Sequence, residues 1–160
     1  METDAFLLPT KAFNLAKTGL SDVMTEAVRN HHPMVIDRNR GKEHAVVMGK
    51  AEMFELLRNF HFTTQTIHEN GEWTLIVPEL DLVAGGSSFE EALGDLTTLA
   101  TEYAAIYLER LDFYRQTKRR AHFAWVMRVA MTEAERRHEL FVEPPADRIP
   151  ATEGRHVLAG

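Results

Sequence analysis

At 160 residues, with 44% hydrophobic and 26% charged side chains, the chain has a globular composition and room for one ordinary domain or two small ones. It contains no cysteine, which excludes a disulfide framework, cysteine metal centres and thiol catalysis and suits a reducing compartment. No apolar run approaches the roughly 20 residues that span a bilayer, and a start carrying Glu2 and Asp4 is not a secretory signal, so a cytoplasmic protein without membrane contact is expected.

The net charge of −6 is unevenly spread. The first 58 residues balance eight basic against eight acidic side chains, and ten basic against sixteen acidic in the remainder supply the whole deficit. A neutral first part with a local basic cluster can still bind DNA, because phosphate contacts need clustered Lys and Arg and not a basic chain.

Met1 to Thr10 has no clear period and reads as a lead-in. From Leu20, the apolar residues Leu20, Val23, Met24, Ala27 and Val28 fall on one helical face, and Pro33 ends that helix. Met34 to Ile36 and Ala45 to Met48 read as two strands joined by a turn in which Arg38, Arg40 and Lys42 crowd around Gly41, and a second helix is expected over Ala51 to Phe60. On composition this basic turn is a solvated hairpin tip. His31 and His32, with no carboxylate at a ligand spacing, read as exposed polar residues and not as a metal site.

The order of these residues carries a resemblance. Ala16-Lys17-Thr18-Gly19-Leu20-Ser21-Asp22-Val23, then Pro33-Met34-Val35-Ile36-Asp37-Arg38, then Gly41-Lys42-Glu43-His44-Ala45-Val46-Val47 resembles the N-terminal domain of Phd/YefM-type antitoxins. There the pattern runs A-R-x-x-L-S-x-V, P-V-x-I-T-R and G-x-x-x-A-V-L. The resemblance covers about residues 11–60 and implies a homodimer or higher homo-oligomer whose paired units face operator DNA. It implies DNA contacts from Lys11, Asn14, Lys17, Ser21, Arg38, Arg40 and Lys42. Lys17 stands where arginine is usual, which retains phosphate anchoring better than guanine readout.

In the middle of the chain, Phe62 to Glu69 and Trp73 to Val77 flank Asn70-Gly71, a strong hairpin signal. Pro78 stops the pairing, and a third strand is expected over Leu80 to Ala84. Ser87 or Ser88 followed by Glu90 or Glu91 is a capping box in either register, opening a long helix from Phe89 to Leu111. Phe89, Ala92, Leu96, Leu99, Tyr103 and Ile106 form one apolar line on it, with Leu93, Ala100, Tyr107, Leu108 and Leu111 beside it. Trp73 to Val77, Pro78-Glu79-Leu80 and Gly86-Ser87-Ser88-Phe89-Glu90-Glu91-Ala92 resemble the HicB-like partial RNase H module over about residues 62–110. That resemblance implies a non-catalytic antitoxin or interaction domain. Glu79, Asp81, Glu90, Glu91 and Asp95 then read as loop and helix-start charges; a nuclease would need carboxylates converging on two metal ions.

Arg110 to Arg137 is the most basic length of the chain, eight Lys and Arg against three Asp and Glu. It reads either as a second nucleic-acid surface or as a solvated helix face over core aromatics. Phe123, Val126, Met127, Ala130 and Ala134 make a one-faced helix within it. Residues 143–160, rich in proline and poor in large apolar side chains, read as a disordered tail.

The expectation is an α+β protein: a small Phd/YefM-like α/β dimerisation domain at 1–60, a HicB-like hairpin-plus-helix module at 61–117, a C-terminal helix at 118–142 and the tail. Its expected function is that of a type II antitoxin, binding a cognate toxin and repressing its own operon on operator DNA. No catalytic residue, metal or cofactor is expected. The alternative is a non-catalytic interaction module that keeps this fold without operator binding.

Overall fold

The computed structural model describes residues 6–142, so the expected tail at 143–160 lies outside the described residues. The fold is α+β. It divides between Leu56 and Leu57 into two compact units.

In the first unit, β1 (Thr10–Ala12) pairs parallel with β2 (Met34–Arg38), and β2 pairs antiparallel with β3 (Glu43–Val47). The strand β1 falls at the end of the expected lead-in; three residues after Pro9 are too few to show a period. Its entry is secured by the Val35 amide donating to the Pro9 carbonyl at 2.9 Å.

The helix expected from Leu20 is preceded by a separate short helix and itself divides at Thr25. α1 (Phe13–Thr18) ends at Gly19, α2 (Leu20–Met24) follows, and the last turn, Thr25–Arg29, widens into a π-helix closed by the Asn30 amide on the Thr25 carbonyl at 3.1 Å. Two threonines sit at the breaks. The Thr18 hydroxyl donates to the Asn14 carbonyl at 3.1 Å and the Thr25 hydroxyl to the Ser21 carbonyl at 3.0 Å, a side-chain competition that bends helices.

The expected apolar face is correspondingly split. Val23 and Ala27 are fully buried, Val23 packed with Ala16 and Met34, while Leu20, Met24 and Val28 are 45 to 58% exposed together with Leu15. α3 (Lys50–Leu56) is shorter than the expected Ala51 to Phe60 helix, because the chain turns at the unit boundary with the Phe60 amide on the Leu57 carbonyl.

The second unit is a three-stranded antiparallel sheet, in the order β4 (Gln65–Glu69), β5 (Glu72–Val77), β6 (Leu82–Gly86), covered by α4 (Phe89–Glu109). β4 starts later than the expected Phe62. Phe62 is instead a core residue against Phe141, ring centroids 5.1 Å apart, and the backbone and hydroxyl of Thr63 both donate to the Glu79 carboxylate. The third strand is two residues later than expected, because Pro78–Leu80 coils into a 3-10 turn and Asp81 takes a left-handed φ of 54°.

Of the two capping registers, the molecule uses Ser88. Its hydroxyl accepts from the Glu91 amide at 3.1 Å, and Glu91 reaches back to the Ser87 amide at 2.8 Å. Gly86 permits this tight entry; a Cβ there would stand 2.6 Å from the Ala92 amide.

The fully buried positions of α4 are Ala92, Leu96, Ala100, Ala104 and Tyr107; Ala104 stands on neither expected line, and the other four come from both. Small residues let the helix lie close on the sheet, and Ile106 is left 48% exposed. α4 ends at Glu109, and Arg110 caps it and leads directly into the short α5 (Leu111–Tyr114).

The expected C-terminal helix is likewise interrupted. A 3-10 turn, Lys118–His122, leads into α6 (Phe123–Ala130), and a second 3-10 stretch, Ala134–Phe141, follows an extended Glu133. Val126, Val129, Leu140 and Phe141 are the residues buried against α4 and the sheet.

Candidate nucleic-acid interface

The β2–β3 turn is built from its sequence outward. Asn39 and Arg40 both take left-handed backbone, φ 53° and 55°, and Gly41 follows at 80°. Such a run suits Asn and Gly and strains an arginine. It is held from below: the Asp37 carboxylate accepts the Gly41 amide at 2.9 Å. The acid standing where the antitoxin pattern has threonine therefore fastens the turn.

Glu43, directly opposite Arg38 in the ladder, accepts from the Arg38 Nε at 2.6 Å and from the Asn39 side-chain amide at 2.6 Å. The Arg38 hydrogen bond first, and the Asn39 bond second, hold the Glu43 carboxyl below its ordinary range, so it stays charged into mildly acidic solution. The three cations of the turn are thus not equivalent. Arg38 is tied to a carboxylate and lies over the Phe13 ring at 5.7 Å, whereas the Arg40 and Lys42 side chains are exposed and have no partner among the described residues.

The parallel pairing of β1 with β2 sets Ala12 opposite Asp37, which brings the start of α1 to the Arg38 end of the sheet. Asn14 and Lys17, three apart, are exposed on α1, and Ser21 is exposed on α2. Lys11 differs from these: it is half-buried in β1, and a side chain on Gly19 would meet its Nζ at 3.9 Å. Phe13, Ile36, Arg38, Glu43, His44 and Ala45 line a shallow groove of about 240 Å³ beside the turn. The fastening roles of Asp37, Asn39 and Glu43 were missed by the sequence reading. The signal for them was an acid four residues before a turn glycine and an acid opposite an arginine across it.

His31 takes φ 55° and its Nδ1 bonds the Glu52 carboxylate, which that bond holds below its ordinary range. His32 Nδ1 lies 3.3 Å from Glu26. Among the described residues no group of three His, Cys, Asp or Glu could hold a metal ion, and no helix is long and apolar enough to cross a membrane.

In the second unit three of the sequence carboxylates are engaged by polar neighbours. Glu79 holds Thr63, Glu91 holds Ser87, and Asp81 Oδ2 stands 3.8 Å from His122 Nε2. His122 Nδ1 in turn meets the Tyr103 hydroxyl at 2.7 Å. In the basic segment, Arg110 and Arg119 lie over Phe113 and Tyr103, while Arg115 and Arg120 edge a cleft of about 560 Å³ floored by Tyr107, Leu111 and Phe123.

Residues 7–143 match the family model PHD-like, described as "Antitoxin of toxin-antitoxin, RelE / RelB, TA system". The chain belongs to this antitoxin family. Membership implies a cognate toxin as partner. A solved structure from Syntrophomonas wolfei subsp. wolfei, described as the antitoxin part of a candidate toxin/antitoxin system, superposes with a TM-score of 0.72 at 19% identity, covering 83% of this chain and 96% of that one. At that identity the likeness speaks for the fold alone. No curated protein matches the sequence.

Proposed function

We propose that this antitoxin-family protein is a type II antitoxin that neutralises its toxin and represses its own operon by binding operator DNA as a homodimer. Residues 1–60 act as a Phd/YefM-like DNA-binding and dimerisation domain. Residues 61–117 act as a HicB-like module without catalysis, followed by the helical segment 118–142. The observation that carries the reading is the strained turn offering the free Arg40 and Lys42 side chains at the end of the sheet where α1 begins.

Asn14, Lys17 and Ser21 supply the polar groups on the helices, with Asn14 nearest a base edge. Lys11, half-buried in β1, and Arg38, neutralised by Glu43, contribute less charge to phosphate than their residue types suggest. Leu15, Leu20, Met24 and Val28, about half exposed, form the face that a second copy covers, which doubles the turn on the DNA.

The test is co-expression with the adjacent toxin gene, followed by titration of the isolated assembly onto the upstream DNA at two salt concentrations. Affinity that is sequence-specific and falls steeply with salt is expected. A stable toxin complex indifferent to that DNA would reject the repressor role and leave the interaction-module reading.

A further inference from the structure

The edge of the second unit's sheet has a property that follows from the β4–β5 turn. Asn70 and Gly71, with φ 53° and 81°, make a two-residue turn in which the flanking pair, Glu69 and Glu72, exchanges both backbone hydrogen bonds. In an antiparallel ladder such pairs alternate. Ile67 opposite Thr74 and Gln65 opposite Ile76 therefore also point their amides and carbonyls at β5.

The amides and carbonyls of Thr66 and His68 point the other way, out of the sheet. No strand among the described residues pairs with them, and all five residues of β4 are exposed. β4 carries little of the usual protection of a free edge: no lysine, proline or bulge interrupts Gln65–Glu69, and its one acid, Glu69, stands at the turn end of the strand. The His68 ring does not cap the edge either, because it stacks inward on Trp73 with centroids 4.2 Å apart.

We infer that this edge is an interaction surface for a second copy of the same chain, β4 pairing antiparallel with β4 about a two-fold axis at Ile67. The strand is self-complementary in that register. Thr66 faces His68 of the second copy, and His68 faces Thr66, so the two pairs whose backbone groups point outward exchange their hydrogen bonds with each other.

Ile67 meets its own counterpart in the close, non-hydrogen-bonded geometry, Cβ atoms about 5 Å apart, which covers a side chain that is 42% exposed. Gln65 faces Glu69 of the second copy, an amide against a carboxylate, and no like charges stand opposite. Moving the axis by one residue to either side loses this match: Glu69 or Gln65 then faces Ile67. The surface joins two sheets into one and is independent of operator binding.

The absence of cysteine from the chain makes the test direct. Full-length Ile67→Cys is oxidised beside Val83→Cys, on the same face of the sheet but more exposed at 59%. Disulfide-linked dimer should form roughly tenfold faster at 67, because pairing raises the effective concentration of the thiol. Thr66→Pro removes only an outward amide, a change that edge strands tolerate, and Ile67→Lys sets like charges across the axis at an exposed position.

Each should halve the mass of the assembly in native mass spectrometry, with the circular dichroism unchanged. Equal cross-linking at 67 and 83, or an assembly mass indifferent to both substitutions, overturns the inference. So does hydrogen-exchange protection of the Thr66 and His68 amides that arises only on adding the cognate toxin, which would assign the edge to a toxin strand.

Discussion

Replacing Glu43 by glutamine tests whether the β2–β3 turn meets phosphate. Counting its Lys, Arg, Asp and Glu, the segment Asp37 to Glu43 carries three cations and two carboxylates, and Glu43 is the acid that holds Arg38. Glutamine keeps an oxygen to accept from Arg38 while removing the charge, so the turn keeps its shape and gains one free cation. A dimer then gains two.

Each additional phosphate neutralised steepens the dependence of log K on log salt by about 0.9, so Glu43→Gln should steepen it by about 1.8 per dimer and tighten binding at low salt. Lys42→Gln should flatten it by the same amount. The assay is fluorescence anisotropy on operator DNA across a salt series. A Glu43→Gln slope equal to that of the unaltered protein, with Lys42→Gln flatter, would refute the assignment of Arg38 to phosphate. Slopes unchanged in both variants would remove the turn from the DNA altogether.

Three further outcomes concern the second unit and are read by thermal or urea unfolding. Ser88→Ala removes the hydroxyl that accepts the Glu91 amide and should cost about 1 kcal/mol. Leu96→Ala empties a fully buried position facing the sheet and should cost about 2–5 kcal/mol.

Stability should also fall on acidification through the histidine range. Burial, opposed by Asp81, lowers the His122 pKa from its ordinary 6.5. The folded chain therefore binds fewer protons at this site than the unfolded chain below that pH, and stability contributed by neutral His122 is full above about 6.5 and lost as pH falls through the lowered value. A His122→Gln variant should show a flatter profile between pH 7 and 5; an identical slope would exclude His122 as its source.

Local chemistry was the legible part of this fold. Asn70-Gly71 and the Ser88 to Glu91 box act within a few residues, and both occur where the sequence places them. Pro33 likewise ends the helical segment before β2. What was not legible depends on how much surface a neighbour covers. Both apolar lines expected on α4 pack on the core, but the fully covered positions, Ala92, Leu96, Ala100, Ala104 and Tyr107, mix small and large residues, and a hydrophobicity pattern does not tell which positions a neighbour covers completely.

The break at Thr25 was hidden for another reason. A continuous 3-4 spacing runs through Leu20, Val23, Met24, Ala27 and Val28, and a π-turn shifts the face by a fraction of a turn without altering that spacing. At the candidate interface, residue types pointed to the turn, but the ladder decided that Arg38 faces Glu43. Charge counting along the chain does not see cross-strand neutralisation.

The split face of the first unit yields the last expectation. Val23 and Ala27 are buried completely, whereas Leu15, Leu20, Met24 and Val28, on the same helical segment, remain 45 to 58% exposed. A fully buried Leu or Met is worth about 1.5–3 kcal/mol, so each of these half-exposed side chains has about 1 kcal/mol still to gain from being covered. Over both copies of a dimer the gain is comparable to the whole stability of a small domain, which a unit with so few buried residues lacks on its own.

Leu20→Asp and Val23→Asp therefore separate two roles on one helix. Val23→Asp buries a charge in the core and should unfold the first unit. Leu20→Asp touches only the uncovered face and should leave the secondary structure intact while sedimentation shows the assembly dissociating. A Leu20→Asp protein that sediments like the original would mean that this face is not where the second copy sits.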